Sequence, residues 1–585
     1  MQNNSVSLLL IIPDKDMQKR WVLAPKIERT QAERLQAELG IHPILTDLLI
    51  RRGVKTFEDS KSFFRLSLDQ LHDPFLMKDM DRAVARIEQA ISANEKILIY
   101  GDYDVDGTTA VALLFGFFRQ FHSRIEFYLP DRYTEGYGLS LKGIDYAHAN
   151  DFSLIITLDC GIKAHKQVRY ANGKGIDVII GDHHLPGDSL PDAVAVLDPK
   201  RADCNYPYKE LSGCGVGFKL VQAFISRNGM EIELGYQYLD LVAVSIASDI
   251  VPITGENRIL THFGLKRLNS NPCCGLQALI ELSGNRTGSF TVNDILFQLG
   301  PRINAAGRID HARDAVKLLL SRSLQEAALF SNGIDEQNTQ RKDFDLRITE
   351  EAMQLAGDRE SMNGRRSVVL FKQDWHRGVI GIVASRIVER YYRPTVILTQ
   401  TDTHITGSAR SIVGVDLYEA LTACGDLLDQ YGGHQYAAGL TMKQENLAQF
   451  KDRFEAAIAA RVTDEMMVPE IQIDAHIGLK EIDARFFRVL KQFEPFGPQH
   501  EPPIFLSKSL LVVGQAQVVG DNHLRMQVIQ EDSPLFACIG FGLGHFATAI
   551  NNGATFDICY TLEENNWRQR RSLQLNLKDI YISNG

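Results

Sequence analysis

Cysteine is sparse in this chain and is not arranged for pairing. Eight cysteines are spread over 585 residues, at positions 160, 204, 214, 273, 274, 424, 538 and 559, with no C-x-x-C spacing. That excludes a disulfide framework and a thiolate zinc site, and scattered reduced thiols make the cytoplasm the expected compartment. Long apolar runs are missing too. The longest early one, "VSLLLIIP" (Val6–Pro13), is too short for a membrane span and lacks a basic stretch before it, so neither a signal peptide nor a membrane helix is expected. Fixed-period repeats and low-complexity tracts are absent. Nor is positive charge in excess. The formal net charge of -10 argues mildly against a protein that coats nucleic acid through its overall field, yet leaves room for a local basic channel.

What is present reads as an ordinary globular chain, 44% hydrophobic and 23% charged, long enough for several cores. Residues 1–70 have a mixed helical texture. Over 71–255 the apolar runs "KILIY", "RIEFYLP", "SLIITLD", "DVIIGDHH" and "AVAVLDP" alternate with helical patterns, which predicts a mostly parallel α/β sheet covered on both faces. Residues 256–360 read as helical, with one or two long connecting helices. A second α/β domain is expected at 361–462, opened by "RSVVLF" and "PTVILTQ". Short strands without intervening helices fill 463–585, predicting a small β-barrel or sandwich.

The stretch "KILIYGDYDVDGTTA" sets Asp102, Asp104 and Asp106 at alternate positions before Gly107. A calcium loop of the EF-hand type fails here. Its twelfth position would be Leu113 in place of a bidentate glutamate, and an apolar strand precedes it in place of a helix. The unit is strand, acidic turn, helix, with Thr108 or Thr109 near the helix start. Such a turn lies where open α/β sheets place their ligands. Further strand ends carry Asp159 in "SLIITLDCGI", and Asp182, His183 and His184 in "DVIIGDHHLP"; Asp249 ends the apolar, helical run "DLVAVSIASD". Strand ends on one sheet edge converge, and so many carboxylates share a pocket only with a cation present.

More candidate ligands converge than one ion needs, so two ions with a bridging carboxylate are expected, Asp159 being the central candidate. Mixed carboxylate and imidazole donors favour manganese over magnesium or calcium. Two metals suit in-line attack on phosphorus, so the expected reaction class is metal-assisted hydrolysis of a phosphate ester.

"DYDVDG", "LDCG", "DHH" and "ASDIVP", in that order, resemble the four motifs of the DHH phosphoesterase superfamily. "GPRINAAGRI", "WHRGVIGIVASRI", "GSARS" and "GGHQYAAG" narrow the resemblance to the RecJ family of bacterial single-stranded-DNA exonucleases, from about residue 70 to the C-terminus. The resemblance implies a parallel-sheet DHH domain, a helical connector, a second α/β, DHH-associated domain and a C-terminal OB-fold β-barrel. It implies 5′-to-3′ digestion of single-stranded DNA to 5′-mononucleotides with Mn²⁺ or Mg²⁺, in recombinational and mismatch repair. A single-stranded-DNA-binding protein and a RecQ-type helicase are the implied partners. Its metal ligands fall on Asp104, Asp106, Asp159, His183 and Asp249, with Asp102 and His184 beside them; His184 would meet the scissile phosphate or help position the nucleophile, and Asp182 would orient a histidine. One position departs from the pattern. Tyr100 stands where many superfamily members have a metal-binding histidine, so either Asp102 substitutes or one metal is held more loosely.

Candidate substrate contacts are Arg302, Asn304 and Arg308 in "GPRINAAGRI", Ser408 and Arg410 in "GSARS", and Gly432, Gly433 and His434 in "GGHQYAAG". Arginine forks and serine hydroxyls suit phosphate, and paired glycines suit close backbone approach or a tight turn. Trp375 and His376 are either structural or channel-lining, and "WRQRR" (567–571) is a candidate phosphate patch beside Arg525. The aromatics Phe505, Phe541, Tyr560 and Trp567 are available for base stacking, although strand aromatics are more often core. Two readings compete with the exonuclease: a DHH enzyme for small phosphate esters or very short oligonucleotides, and a catalytically silent DNA-binding scaffold. The second would show lost acidic motifs, and all four are present.

Overall fold

The computed structural model describes residues 19–284, 289–309, 311–358, 362, 364–567 and 570–582; Val6–Pro13 lies outside them, as do Arg568 and Gln569, and the side chains of 566–571 are likewise not described. The chain divides into two compact units. One comprises Thr56–Gln340 and Lys491–Glu501; the other comprises Met1–Lys55, Arg341–Leu490 and Pro502–Gly585, so far as these are described.

In the first unit the strands β2 (Lys96–Gly101), β3 (Ile125–Tyr128), β4 (Phe152–Leu158), β5 (Asp177–Gly181) and β6 (Ala195–Leu197) form an all-parallel sheet in the order β3-β2-β4-β5-β6. β2 and β4 are buried on both faces, which is why they read as continuous apolar runs. Alternation still sorts their side chains: Ile97 and Ile99 enter one hydrophobic core, Leu98 and Tyr100 the other. The chain leaves β2 in one direction for β3 and returns beyond it to β4. The carboxyl ends of β2 and β4 therefore flank a topological switch point, where such sheets open a crevice.

Helix α1 (Val105–Phe118) starts at once after β2, capped by Asp104, whose carboxylate accepts from Gly107 N at 3.1 Å. Thr108 and Thr109 lie near the helix start, their hydroxyls donating to Val105 O inside the first turns. Gly107 is required by packing, since a Cβ there would sit 2.4 Å from Asp102 O. Helices α2 (Leu141–Ala149), α3 (Gly213–Arg227), α4 (Leu239–Ser248) and α5 (Gly300–Ile309) belong to the same unit. Between 255 and 360 the described residues are helical, as the sequence predicts, ending in the 33-residue α6 (Leu324–Ala356).

The second unit holds a five-stranded mixed sheet built from β7 (Val368–Phe371), β8 (Thr395–Thr401), β9 (His404–Arg410), β10 (Gln430–His434) and β11 (Ala437–Lys443). Its order is β10-β11-β9-β8-β7, and α7 (Ile380–Tyr391) packs on it. The C-terminal part is a closed five-stranded barrel: β14 (Phe505–Val519), β15 (His523–Ile529), β16 (Phe536–Gly540), β18 (Arg570–Ile582) and β17 (Phe556–Trp567), with β17 pairing back to β14. The two-residue β13 (Ala475–His476) runs parallel to the start of β14. Closure removes the free edges that an open sheet of this size would carry. The lead-in, read as helical and mixed, holds three helices, Arg29–Leu39, Pro43–Arg51 and Phe57–Phe64, and one strand. β1 (Arg20–Leu23) is a strand, paired in parallel with β12 (Glu470–Ile473) and held further by Trp21 Nε1 donating to Asp579 Oδ2 at 2.8 Å. Four residues have no readable period of their own, and only the distant partner makes them a strand.

Candidate metal centre and substrate clamp

Three overlapping groups of ligand atoms gather at the carboxyl ends of β2, β4 and β5. Asp102, Asp104 and Asp159 form one group, Asp106, His183 and Asp249 the second, and Asp159, His183 and His184 the third; within each the ligand atoms lie within 4.8 Å of one another. Asp159 and His183 each belong to two groups. His183 Nε2 lies 3.2 Å from Asp159 Oδ1, 3.5 Å from Asp249 Oδ2 and 3.6 Å from Asp106 Oδ2.

Each ligand is positioned by the backbone that carries it. Asp159 follows β4 with a left-handed φ of 60°, an uncommon conformation for a non-glycine residue that turns its carboxylate into the crevice. Its N–H donates to Gly181 O on β5, and its carbonyl accepts from Tyr137 Oη at 2.9 Å. Asp106 is held by α3 and α4: Gly213 N and Cys214 N at the start of α3 donate to its two oxygens at 2.6 and 2.7 Å, and Ser245 Oγ on α4 donates at 2.7 Å. Gly213 permits this approach, because a Cβ there would lie 2.6 Å from Asp159 Cβ. Asp182 accepts from His184 Nδ1 at 2.8 Å and from the N–H groups of His183 and Ile162.

The electrostatics are those of a pocket built around positive charge. Burial and then neighbouring carboxylates push Asp102, Asp159 and Asp249 well above the usual carboxylate range, and Asp104 is raised for the same reasons. Burial lowers His183, keeping it neutral and able to ligate. For His184 burial opposes the charge, but the Asp182 hydrogen bond and the charges of Asp182, Asp249 and Asp106 together outweigh it and lift the imidazolium to about 9. Asp182 is correspondingly lowered, burial notwithstanding. Among the described residues, the buried oxygens Asp102 Oδ2 and Asp159 Oδ1 and both ring nitrogens of His183 have no hydrogen-bond partner. Orphaned buried donors of this kind and charge fit divalent cations with oxygen and imidazole ligands.

Ser408 and Arg410, both on β9, face the start of α7, where Gly381 packs so closely that a Cβ would lie 2.9 Å from Ser408 Oγ and 3.1 Å from Arg410 Nη2. Arg410 Nη1 donates to Ser408 Oγ at 3.2 Å and to Ala409 O at 2.8 Å. Among the described residues no carboxylate pairs with this guanidinium, and burial lowers its pKa. Gly432, Gly433 and His434 lie in strand β10, with the turn after them. Gly433 has φ 144°, and a Cβ on it would strike Ala437 O at 2.3 Å.

Three family descriptions match this chain: the DHH family N-terminal domain over residues 96–246, the DHHA1 domain over 364–460 and the RecJ OB domain over 473–579. The single-stranded-DNA-specific exonuclease RecJ of Bacillus subtilis (strain 168) is 37% identical over 568 residues, 96% of this chain and 71% of that protein. Its counterpart in Escherichia coli (strain K12) is 32% identical over 584 residues, 96% of this chain and 100% of that protein. This chain belongs to the RecJ family. Its backbone is similar to that of RecJ from Thermus thermophilus in complex with Mn²⁺, with a TM-score of 0.83 and 27% identity, covering 97% of this chain and 80% of that one; the Mg²⁺ complex gives 0.77 and 26%.

Within that RecJ framework, Tyr100 stands outside the three groups of candidate ligands. It is fully buried, stacks on Tyr128 at 5.3 Å, and its hydroxyl donates to Gly138 O and accepts from Ser140 N. The carboxylate nearest in sequence, Asp102, fills the corner beside Asp104 and Asp159. Arg302 is occupied, with Nε on Asp335 Oδ1 at 2.9 Å and Nη1 on Gln298 O. Arg308 receives the Tyr133 hydroxyl on its carbonyl, while Asn304 is half-buried on α5. Trp375 is structural, buried with Nε1 on Glu351, and His376 stacks on Phe344 at 4.9 Å. Phe505 and Tyr560 are barrel core, Phe541 is exposed, and Arg525 donates to Gln517; the side chains of "WRQRR" lie outside the described residues. Sequence reasoning missed Tyr137, whose hydroxyl lies 3.3 Å from His184 Nε2, and Arg132, whose guanidinium lies 4.5 Å from the Tyr103 ring centroid. The signal was "RYTEGYG", where Gly136 and Gly138 take φ of 83° and 77°. It missed also the Asp106 anchors Gly213, Cys214 and Ser245.

Proposed function

We propose that this chain is a metal-dependent exonuclease specific for single-stranded DNA, which hydrolyses phosphodiester bonds from the 5′ end and releases 5′-mononucleotides. The observation that carries this is the convergence of Asp102, Asp104, Asp106, Asp159, His183 and Asp249, with orphaned ligand atoms, at the switch point of a RecJ-family sheet. Two ions, Mn²⁺ or Mg²⁺, would be held there, Asp159 bridging; such ions supply a nucleophilic hydroxide at neutral pH and neutralise the developing phosphoryl charge.

The protein side of the reaction follows from its own groups. Asp182 fixes the His184 ring through Nδ1, leaving Nε2 beside the Tyr137 hydroxyl at the exposed rim, where it can offer its proton to a phosphoryl oxygen or a leaving 3′-oxygen. Arg410, Ser408 and the start of α7 form a clamp for a terminal phosphate, which supplies the counter-charge the buried guanidinium lacks. Gly432, Gly433 and His434 bring the backbone of β10 to the strand. Arg302, Asn304 and Arg308 serve the strand from α5, Arg302 exchanging Asp335 for phosphate. The functional domains run 71–255, 256–360, 361–462 and 463–585, after a lead-in of 1–70. A single-stranded-DNA-binding protein and a RecQ-type helicase are the expected partners in recombinational and mismatch repair, and the cytoplasm the expected site. Among the described residues no helix is long and apolar enough to cross a membrane.

The test is digestion of a long single strand labelled at either end, with Mn²⁺, Mg²⁺ or EDTA, beside its duplex. Metal-dependent release of mononucleotides from the 5′ end of the single strand alone is the expected result. Cleavage in EDTA, or equal digestion of the duplex, would overturn it. In the same assay Arg410→Ala is expected to raise KM for a 5′-phosphorylated strand by roughly 30-fold, the loss of about 2 kcal/mol of charged hydrogen bonding, with less effect on a 5′-hydroxyl strand. Equal loss on both strands would remove the clamp role.

A further inference from the structure

A cavity of about 340 Å³ lies in the unit Thr56–Gln340, lined by none of the candidate metal ligands, at the free edge of β3. That volume is within the range of small-ligand sites. Its walls combine three kinds of chemistry. Tyr128 and Tyr146 present aromatic rings 5.2 Å apart. Arg313, exposed and with no carboxylate partner among the described residues, holds its guanidinium 5.6 Å from the Phe127 ring centroid, with His311 beside it in the wall. Asp131 turns Oδ1 to the N–H groups of Tyr133 and Thr134 and the Thr134 hydroxyl, and among the described residues no hydrogen bond occupies its Oδ2. Two tyrosine rings, one unpaired guanidinium and one open acceptor, beside the Lys142–Glu135 ion pair that also lines the cavity, match, in turn, a base, a phosphate and an exocyclic amino group.

We propose that this cavity binds a 5′-mononucleotide, the product class of the reaction above, and that its occupancy is coupled to the metal centre through residues 131–138. The identity of the ligand rests on the exonuclease reading; the pocket itself does not. At one end of that loop Asp131, Thr134 and Glu135 line the cavity. The other end reaches the catalytic cluster, Tyr137 donating to Asp159 O and Gly138 N to Asp102 Oδ1 at 3.4 Å. Within the first end, the Tyr133 hydroxyl donates to Arg308 O. A ligand that fixes Asp131 thus biases the segment that seats two metal-binding carboxylates.

Calorimetric titration of dAMP into the full chain in EDTA tests the site. Expected is saturable binding, weakened about tenfold in Arg313→Glu, an exposed position whose variant keeps the fold by circular dichroism, and unchanged in Arg410→Ala. Added dAMP is then expected to change the rate of strand digestion by wild type and not by Arg313→Glu. Four results overturn the proposal: no binding; binding lost in Arg410→Ala but kept in Arg313→Glu, which puts the nucleotide in the clamp; inorganic phosphate binding as tightly as dAMP; or an Arg313→Glu defect confined to a 5′-phosphorylated oligonucleotide, which makes the cavity part of the strand's path. Digestion without added nucleotide is scored separately, so failure of the exonuclease reading is seen on its own.

Discussion

Asp159→Asn is expected to lower strand digestion by roughly 10³-fold or more while raising the stability of the metal-free protein. The two effects share one cause. Asp159 is buried among Asp102, Asp104, Asp106 and Asp249 and belongs to two of the three ligand groups, so it is the carboxylate whose loss breaks both. Asparagine is chosen because it tolerates the left-handed backbone at φ 60°, where alanine would be strained. Without metal, the ionised Asp159 is held against other carboxylates and its pKa is raised well above that of an unfolded chain. The native state therefore binds more protons than the unfolded state above the ordinary carboxylate pKa of about 4, and stability falls as pH rises from there toward the raised value. Asparagine does not titrate. In EDTA the melting temperature of Asp159→Asn is expected to exceed that of wild type by a margin that widens from pH 5 to pH 8. Mn²⁺ is expected to stabilise wild type more than the variant, by mass action on the native state. Near wild-type cleavage by the variant would end the account of Asp159 as a bridging ligand. A margin that narrows with rising pH would show that its carboxylate is not held against its neighbours.

Lys219→Met is the second large effect, and it lies away from the ligands. Lys219 on α3 is fully buried, with Nζ 2.6 Å from Glu256 Oε1 and 3.1 Å from His72 O. Glu256 also accepts from Tyr206 Oη at 2.6 Å and His72 N at 2.9 Å. Burial lowers the lysine pKa against the pull of Glu256. Removing the ammonium leaves a carboxylate in the core without a counter-charge, at a cost of about 3–5 kcal/mol. Lys219→Met/Glu256→Gln is expected to recover most of that, because the uncompensated charge is gone. Amide exchange along Gly213–Arg227 reads this out directly, and the first turn of that helix also holds Asp106, so cleavage is expected to fall with it. Unchanged exchange in the single variant would show that the pair contributes little.

The convergence of the candidate ligand carboxylates and histidines was largely legible in the sequence, for a physical reason. A parallel sheet puts the ends of its strands on one edge, so Asp102, Asp104, Asp106, Asp159 and His183 could be brought together knowing only that apolar runs precede them. Asp249 needed the helix before it and the family resemblance. The short strands of the C-terminal domain and the connecting helix were legible in texture, because short strands and a long helical period are local properties; closure of the strands into a barrel was legible only through the family resemblance.

Partners chosen across the chain were not legible. β1 became a strand through pairing with β12, and Arg302, read as a phosphate contact, has a carboxylate partner on Asp335. Tyr100 could be seen to be no histidine, but that it braces Gly138 and Ser140, while Asp102 gathers with Asp104 and Asp159, depends on which face of β2 it occupies and what packs there. The sequence alone determined which chemistry is available at the sheet edge, because residue type and strand order are local facts. Tertiary structure alone decided which of those groups remain without partners and are open to metal or phosphate, because hydrogen bonds and burial are settled by residues far apart in the chain.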